Sequence, residues 1–174
     1  PNLDFRGFAG TIASGSVAKG DEVVVAKSGT SVNVKRIVAH GGDLERAVAG
    51  QAVTLVLDEE VEVSRGNLLV APSARPQVAD QFAANIVWFD EQALLPGRSY
   101  ILRTETDQAS ATVTDLKYRV NINDFAQEAA KSLGLNEVGV VNISTRSPIA
   151  FDPFAENRST GAFILIDRIT NATV

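Results

Sequence analysis

Val23-Val24-Val25-Ala26-Lys27-Ser28-Gly29-Thr30-Ser31-Val32-Asn33-Val34-Lys35 is the stretch that decides the fold class. Two β-branched runs flank a Ser-Gly pair, and in the second Val32 and Val34 alternate with the polar Asn33 and Lys35. Alternation with a period of two turns one set of side chains to a core and the other to water, the pattern of a half-buried wall. Glycine between such runs marks a turn. Outward from this hairpin the same signals repeat. Thr11-Ile12-Ala13, Ala52-Val53-Thr54-Leu55-Val56-Leu57 and Leu68-Leu69-Val70 read as strands, with turns at Gly15, Lys19-Gly20-Asp21, Gly41-Gly42-Asp43, Ala49-Gly50-Gln51 and Arg65-Gly66-Asn67. Short strands at that spacing predict a compact antiparallel barrel.

Ala71-Pro72-Ser73-Ala74-Arg75-Pro76 carries two prolines and small residues and reads as a linker. Beyond it, Phe82 to Phe89, Tyr100 to Thr104, Ala111 to Val120, Val138 to Ser144 and Ala162 to Ile166 are again strand-like, with no crossover helix between them. The expected organisation is all-β: two tandem antiparallel barrels, residues 1–74 and 82–174. Val25, Val34, Val53 and Leu55 are expected in the first core, and Ile86, Ile101, Val113, Val141 and Ile164 in the second. One helix is predicted from Asp124 to Leu133, with Asp124 as cap, Phe125, Ala129 and Leu133 on one face and Gly134 as terminator.

Composition narrows the function classes. The chain has 174 residues and no cysteine, which removes disulfides, thiolate zinc sites and a cysteine nucleophile and suits a reducing, cytoplasmic location. His40 is the sole histidine and sits beside a Gly-Gly turn, where it reads as a surface residue, so His-based metal or triad chemistry has no partners. Net charge is −5, and the Lys and Arg residues are scattered, so no electrostatic footprint for nucleic acid is present. No apolar run is long enough for a membrane helix, and Pro1 to Phe5 has neither the basic nor the apolar region of a secretory signal.

Local motifs add little chemistry. Gly10-Thr11-Ile12-Ala13-Ser14-Gly15-Ser16-Val17 has P-loop glycine spacing, but Ser16-Val17 stand where Lys and Ser/Thr are required. The structural reading is that Gly10 permits close backbone approach and Gly15 marks a bend. Asp58-Glu59-Glu60 with Glu62 reads as a solvated acidic patch. Trp88 and Phe89 end an apolar strand and are expected in the core, although the following Asp90-Glu91 would also allow a contact at the barrel rim.

The segment Asp4-Phe5-Arg6-Gly7-Phe8-Ala9-Gly10-Thr11, followed by Lys19-Gly20-Asp21-Glu22-Val23, resembles the second domain of translation-type GTPases such as elongation factor Tu. Four later segments, Arg36-Ile37-Val38, Gln51-Ala52-Val53-Thr54-Leu55, Trp88 to Arg98 and Leu135-Asn136-Glu137-Val138-Gly139, resemble the large, GTP-dependent subunit of bacterial sulfate adenylyltransferase. So does the long run from Pro148 to Arg168, and the likeness extends over essentially the whole chain.

This resemblance implies a parent that makes adenylylsulfate and pyrophosphate from ATP and sulfate, driven by GTP hydrolysis, with GTP, ATP and magnesium as its cofactors. It implies as partners an N-terminal GTPase domain preceding Pro1 and a small catalytic subunit. Some relatives carry an adenylylsulfate kinase after the final barrel, a point the sequence leaves open. The resemblance also implies that the first barrel starts upstream and lacks its first strand here. The chain itself has no Gly-x-x-x-x-Gly-Lys-Ser/Thr and no Asn-Lys-x-Asp, and beyond the bare spacing of Asp4-Phe5-Arg6-Gly7 it has no magnesium-binding Asp-x-x-Gly of the switch region, so no catalytic, cofactor or metal residue is carried over. The expected role is recognition: barrels that read the GTPase state and bind the partner, with Arg6, Arg65, Asp152, Glu156 and Arg158 as candidate interface residues. The alternative is the barrel pair of a tRNA-handling elongation factor, against which the acidic charge argues.

Overall fold

The computed structural model describes residues 5–174; Pro1 to Asp4, including the first residue of the Asp4 to Thr11 segment, lie outside them. The chain divides into two compact units, one containing residues up to Gln77 together with Ala150–Gly161, the other Val78–Ile149 with Ala162–Val174.

The first unit contains β1 (Phe8–Thr11), β2 (Ser16–Ala18), β3 (Glu22–Val25), β4 (Ser31–Ala39), β5 (Gly42–Leu44), β6 (Arg46–Val48), β7 (Ala52–Leu57) and β8 (Leu69–Val70). The main sheet runs β1-β7-β4-β3-β8 with β5 on β4, and β2 and β6 form a separate ribbon. The Val23 to Lys35 stretch forms the hairpin β3–β4, paired Val23 to Val32 and Val24 to Ser31. Val32 and Val34 are buried and Asn33 and Lys35 exposed, as the alternation requires. The register against β7 then shifts between Val34 and Arg36, so Lys35 is an extra residue and the inward phase passes to the fully buried Ile37. Val17, Val23, Val32, Val34, Ile37, Val53, Leu55 and Leu57 form one aliphatic cluster. Each such side chain contributes about 1.5–3 kcal/mol on leaving water.

Gly10 does not serve close approach, contrary to expectation: a Cβ there would meet nothing within 4 Å. The crowded position is Gly7, where a Cβ would lie 2.5 Å from Cγ2 of Thr54 on the neighbouring β7. Gly15 does mark a bend, at φ 64°, so the P-loop-like segment is strand, bend and strand. A phosphate loop needs a turn into a helix N-terminus, and none follows here.

The second unit is built on β9 (Gln77–Val87), β10 (Ser99–Arg103), β11 (Gln108–Val120), β12 (Gln127–Glu128), β13 (Val138–Phe151) and, after the short α1 (Arg158–Gly161), β14 (Ile164–Asp167). The sheet order is β14-β10-β11-β13-β9, with β12 on β11. Two register shifts between β11 and β13, at Val113/Asp115 and Leu116/Tyr118, move the buried phase from Ala109, Ala111 and Val113 to Leu116. The fully buried side chains include Trp88, Leu94, Tyr100, Leu102, Val113, Leu133, Val141 and Ile143. Both units are thus antiparallel β structures, as expected.

Three expectations fail on phase or turn chemistry. Ile164 is 43% exposed and its neighbour Leu165 is buried, because β14 pairs Leu165 with the inward Leu102 of β10. Ile101, between inward Tyr100 and Leu102, is only half-buried for the same reason. The predicted helix from Asp124 to Leu133 is absent. Its amide at Phe125 donates to the Asn121 carbonyl at 2.8 Å and the Asn121 amide to the Ala126 carbonyl at 2.9 Å, closing a tight loop. Asp124 Oδ1 accepts the Ala126 amide at 2.9 Å, so Asp124 caps a turn instead of a helix. Phe125 takes φ 59°, and Gln127–Glu128 then pair with Val120 and Arg119 as β12.

Candidate functional site

All five interface candidates fall in the first unit: Arg6 and Arg65 in its N-terminal part, and Asp152, Glu156 and Arg158 in the Ala150–Gly161 segment that groups with it. Arg6 pairs with Glu60 at 3.0 Å, both side chains well exposed; such a pair contributes little stability in water. Arg65 is exposed on the turn leading to β8, where the Asn67 amide donates to the Ser64 carbonyl at 3.1 Å.

The 150–161 segment has a more defined build. Amides of Glu156 and Asn157 donate to the Pro153 carbonyl at 2.8 and 3.1 Å, and the Gly161 amide to Asn157 at 2.9 Å. Asn157 Oδ1 caps α1 by accepting the Ser159 amide at 3.1 Å. Asp152 Oδ2 accepts the Thr160 hydroxyl at 2.5 Å, and the Arg158 guanidinium lies 5.8 Å from the centre of the half-exposed Phe154 ring. Gly161 is required sterically: a Cβ there would sit 2.6 to 2.7 Å from backbone atoms of Phe154 and Asp152. The segment therefore presents Glu156 and the Arg158/Phe154 pair from a rigid turn. No hydrogen bond or ion pair joins any two of the five candidates among the described residues.

The ionic groups of the second unit are organised differently, and sequence reasoning missed them. Asp167 is buried and accepts the Ile169 and Thr170 amides on Oδ1 at 2.8 and 2.9 Å, while Oδ2 receives Arg98 Nη2 at 2.6 Å. The Thr170 and Ile169 amides, helped by Arg98, hold its carboxyl below the usual carboxylate range against the opposing effect of burial. Arg119 bridges Glu128 at 2.7 Å and Glu137 at 2.6 Å. Glu137 also accepts the Gly134 amide at 2.7 Å, the main reason its pKa is lowered, whereas Arg119 is the main cause for Glu128. The Glu-Gly spacing around residues 134–137 and the separation of Arg98 from Asp167 carry no signal in one sequence.

These arrangements fix loops and offer no acid-base chemistry. His40 is exposed on its turn, and Trp88 is buried with its indole N–H donated to the Gln92 carbonyl at 2.8 Å, whereas Phe89, the next residue along the chain, is 57% exposed and not part of the core expected for it. In the acidic patch, Asp58 receives both the amide and side-chain N–H of Asn33, at 2.9 and 3.0 Å, which lowers its pKa. Among the described residues no three His, Cys, Asp or Glu side chains are grouped to hold a metal, and no helix is long and apolar enough to cross a membrane.

Residues 81–174 match a protein family described as GTP-eEF1A C-terminal domain-like. Over all 174 residues the chain is 85% identical to the bifunctional enzyme NodQ of Rhizobium sp. (strain N33), covering 27% of that protein. It is likewise 47% identical to sulfate adenylyltransferase subunit 1 of Aeromonas salmonicida (strain A449), covering 37% of it. The chain thus spans between about a quarter and two fifths of the length of these relatives. A solved structure of sup35 complexed with GDP superposes with a TM-score of 0.84 at 18% identity, over 95% of this chain and 41% of that one, a likeness of fold.

Proposed function

The chain belongs to the GTP-eEF1A C-terminal domain-like family, and from that premise we propose that it is the barrel pair of a GTP-dependent sulfate adenylyltransferase large subunit. The observation that carries this reading is the unbroken kinship: 47% identity to a sulfate adenylyltransferase subunit 1 runs through both units without a gap in coverage. A shared fold alone, as with sup35 at 18% identity, would not favour one GTPase over another. The tRNA-handling alternative rests on fold alone and has the acidic charge against it.

In this reading the parent couples GTP hydrolysis to formation of adenylylsulfate and pyrophosphate from ATP and sulfate, in the cytoplasm and with magnesium. The nucleotide chemistry belongs to a GTPase domain and to the small catalytic subunit. The barrels contribute recognition: rigid sheets whose loops meet the moving switch elements and the partner, so that the nucleotide state changes how the parts are arranged. Arg6, Arg65, Asp152, Glu156 and Arg158 serve there as contact residues, the last three carried by the hydrogen-bonded 150–161 turn.

A bifunctional parent is favoured by a second observation. The same 174 residues are 27% of the NodQ relative and 37% of the subunit 1 relative, so the former is longer by about 170 residues, the size of a further domain. The 85% identity places this chain nearer the former, and an adenylylsulfate kinase is the domain we assign to it.

The test is synthesis. The longer protein containing this chain, mixed with its small subunit, ATP, sulfate and magnesium, is expected to release pyrophosphate and accumulate adenylylsulfate only when GTP is hydrolysed. Equal yields with GTP and with a non-hydrolysable analogue would remove the proposal.

A further inference from the structure

The second unit ends in an apolar rim that its own core does not use. Loops 88–98 and 121–137 meet where β9 ends and β13 begins. The Trp88 amide donates to the Glu137 carbonyl at 2.9 Å, the Asn136 amide to the Trp88 carbonyl at 2.7 Å and the Leu94 amide to the Leu133 carbonyl at 2.8 Å. The 168–173 turn reaches the same end, since Arg98 of the first loop bonds Asp167 at 2.6 Å. Trp88, Leu94 and Leu133 are buried beneath, yet Phe89, Leu95, Ile122, Phe125, Leu135 and Ile169 are between 48% and 84% exposed. These six are half of the twelve large apolar side chains exposed among the described residues, all on loops at one end of the unit, and apolar side chains gathered in this way mark interaction surfaces.

Phe125 is the most informative of them. It is 79% exposed and stands at φ 59°, a left-handed conformation that residues with a Cβ seldom adopt. The turn is closed by backbone bonds and by Asp124, none of which needs an aromatic ring at Phe125. Strain combined with an aromatic ring in water gives the fold no benefit, and points to recognition.

The rim is also acidic. Its two loops carry Asp90, Glu91, Asp124, Glu128 and Glu137, against which stand Lys131 and the bridging Arg119. Arg98 is engaged by Asp167, and Arg168 turns back to the Ser110 hydroxyl at 3.0 Å. Arg98 cancels Asp167 while Arg168 keeps its charge beside the neutral Ser110, so five carboxylates against Lys131, Arg119 and Arg168 leave two excess negative charges. A second copy of the same rim would bring like charges together, so the fitting partner is a face of apolar side chains bordered by Lys or Arg.

We propose that this rim is the docking surface for the second subunit that the relative's designation as subunit 1 implies, through such a basic-edged apolar face; the proposal rests on the function proposed above. The test uses the longer protein and its partner subunit, with affinity measured by calorimetry at 50 and 300 mM salt, values chosen to span about a twofold change in screening length. Phe125→Ser and Leu95→Ser are each expected to weaken binding at least about fivefold and together more than about twentyfold, as central aromatic and aliphatic contacts do. Glu91→Lys should weaken it and flatten its salt dependence, while Val48→Ser, at a 48% exposed site in the first unit, should leave it unchanged. Rim variants binding within twofold of wild type would overturn the docking proposal while leaving the proposed function intact. A wild-type mixture that neither binds nor makes adenylylsulfate would overturn both. Self-association of the longer protein that is lost in Phe125→Ser would overturn the docking proposal in favour of a second copy.

Discussion

The first unit closes its sheet around valine, leucine and isoleucine, and its ion pairs, Arg6 with Glu60 and Arg36 with Asp43, lie on the surface. The second packs Trp88 against Tyr100 edge-to-face at 5.7 Å and places a buried Asp167 under Arg98. An aliphatic core needs only correct phase, whereas an aromatic and ionic one also needs each polar atom satisfied. The difference predicts where each unit is fragile: the first to phase and volume, the second also to charge.

The largest expected effect tests phase in both units. Val53→Asp and Leu165→Asp each bury an unpaired carboxylate and should cost more than about 4 kcal/mol, while Ile164→Asp, one residue away on an exposed face, should cost less than about 1 kcal/mol. Chemical denaturation of the three variants checks this. Equal losses at Ile164 and Leu165 would mean that the β14 register is wrong. Next comes backbone crowding in the first unit: Gly161→Ala must push a methyl into the Phe154 and Asp152 backbone and should cost about 1–3 kcal/mol. Gly10→Ala, with open space around it, should stay within about 1 kcal/mol.

Acid separates the second unit by charge. Because the folded pKa of Asp167 lies below its ordinary value, its contribution is fully present above about pH 4 and is lost as pH falls through the depressed value. Asp167→Asn should therefore lower the melting temperature at pH 7 and lose less than wild type between pH 5 and pH 3. Parallel melting curves over that range would show that the carboxylate is not the acid-sensitive element. The smallest effect concerns Tyr100, whose buried hydroxyl has no hydrogen-bond partner among the described residues and whose pKa is raised chiefly by burial. Tyr100→Phe keeps the ring against Trp88 and removes the orphaned group, so the protein should be as stable or up to about 1 kcal/mol more stable; a clear loss in thermal melts would reveal a bond to that hydroxyl.

What the sequence could show follows from the same physics. Alternation in Val32 to Lys35 and the boundaries of Ala52–Leu57 were readable because one face is buried and the strands follow glycine turns, the second ending at the acidic Asp58-Glu59-Glu60. The alternation could not be followed past Lys35 or Thr114, since a bulge is a property of two paired strands and only one is visible in a local pattern. Ile164 and Leu165 are both apolar, so β14 gave no phase of its own. Asp124 failed as a helix cap because Asx residues close turns as readily as they cap helices. At the candidate site, the recognisable motifs gave Asp152, Glu156 and Arg158, but the Arg119, Glu128 and Glu137 network depends on contacts that single-sequence spacing does not encode.

The proposed role, partner recognition with the nucleotide chemistry carried elsewhere in the parent, is tested most directly by calorimetric titration of the 174-residue chain with GTP and magnesium. No saturable heat at micromolar nucleotide is the predicted result, because the Gly10 to Val17 segment is strand, bend and strand without a lysine. One-to-one micromolar binding, abolished by a change at Ser16, would contradict it.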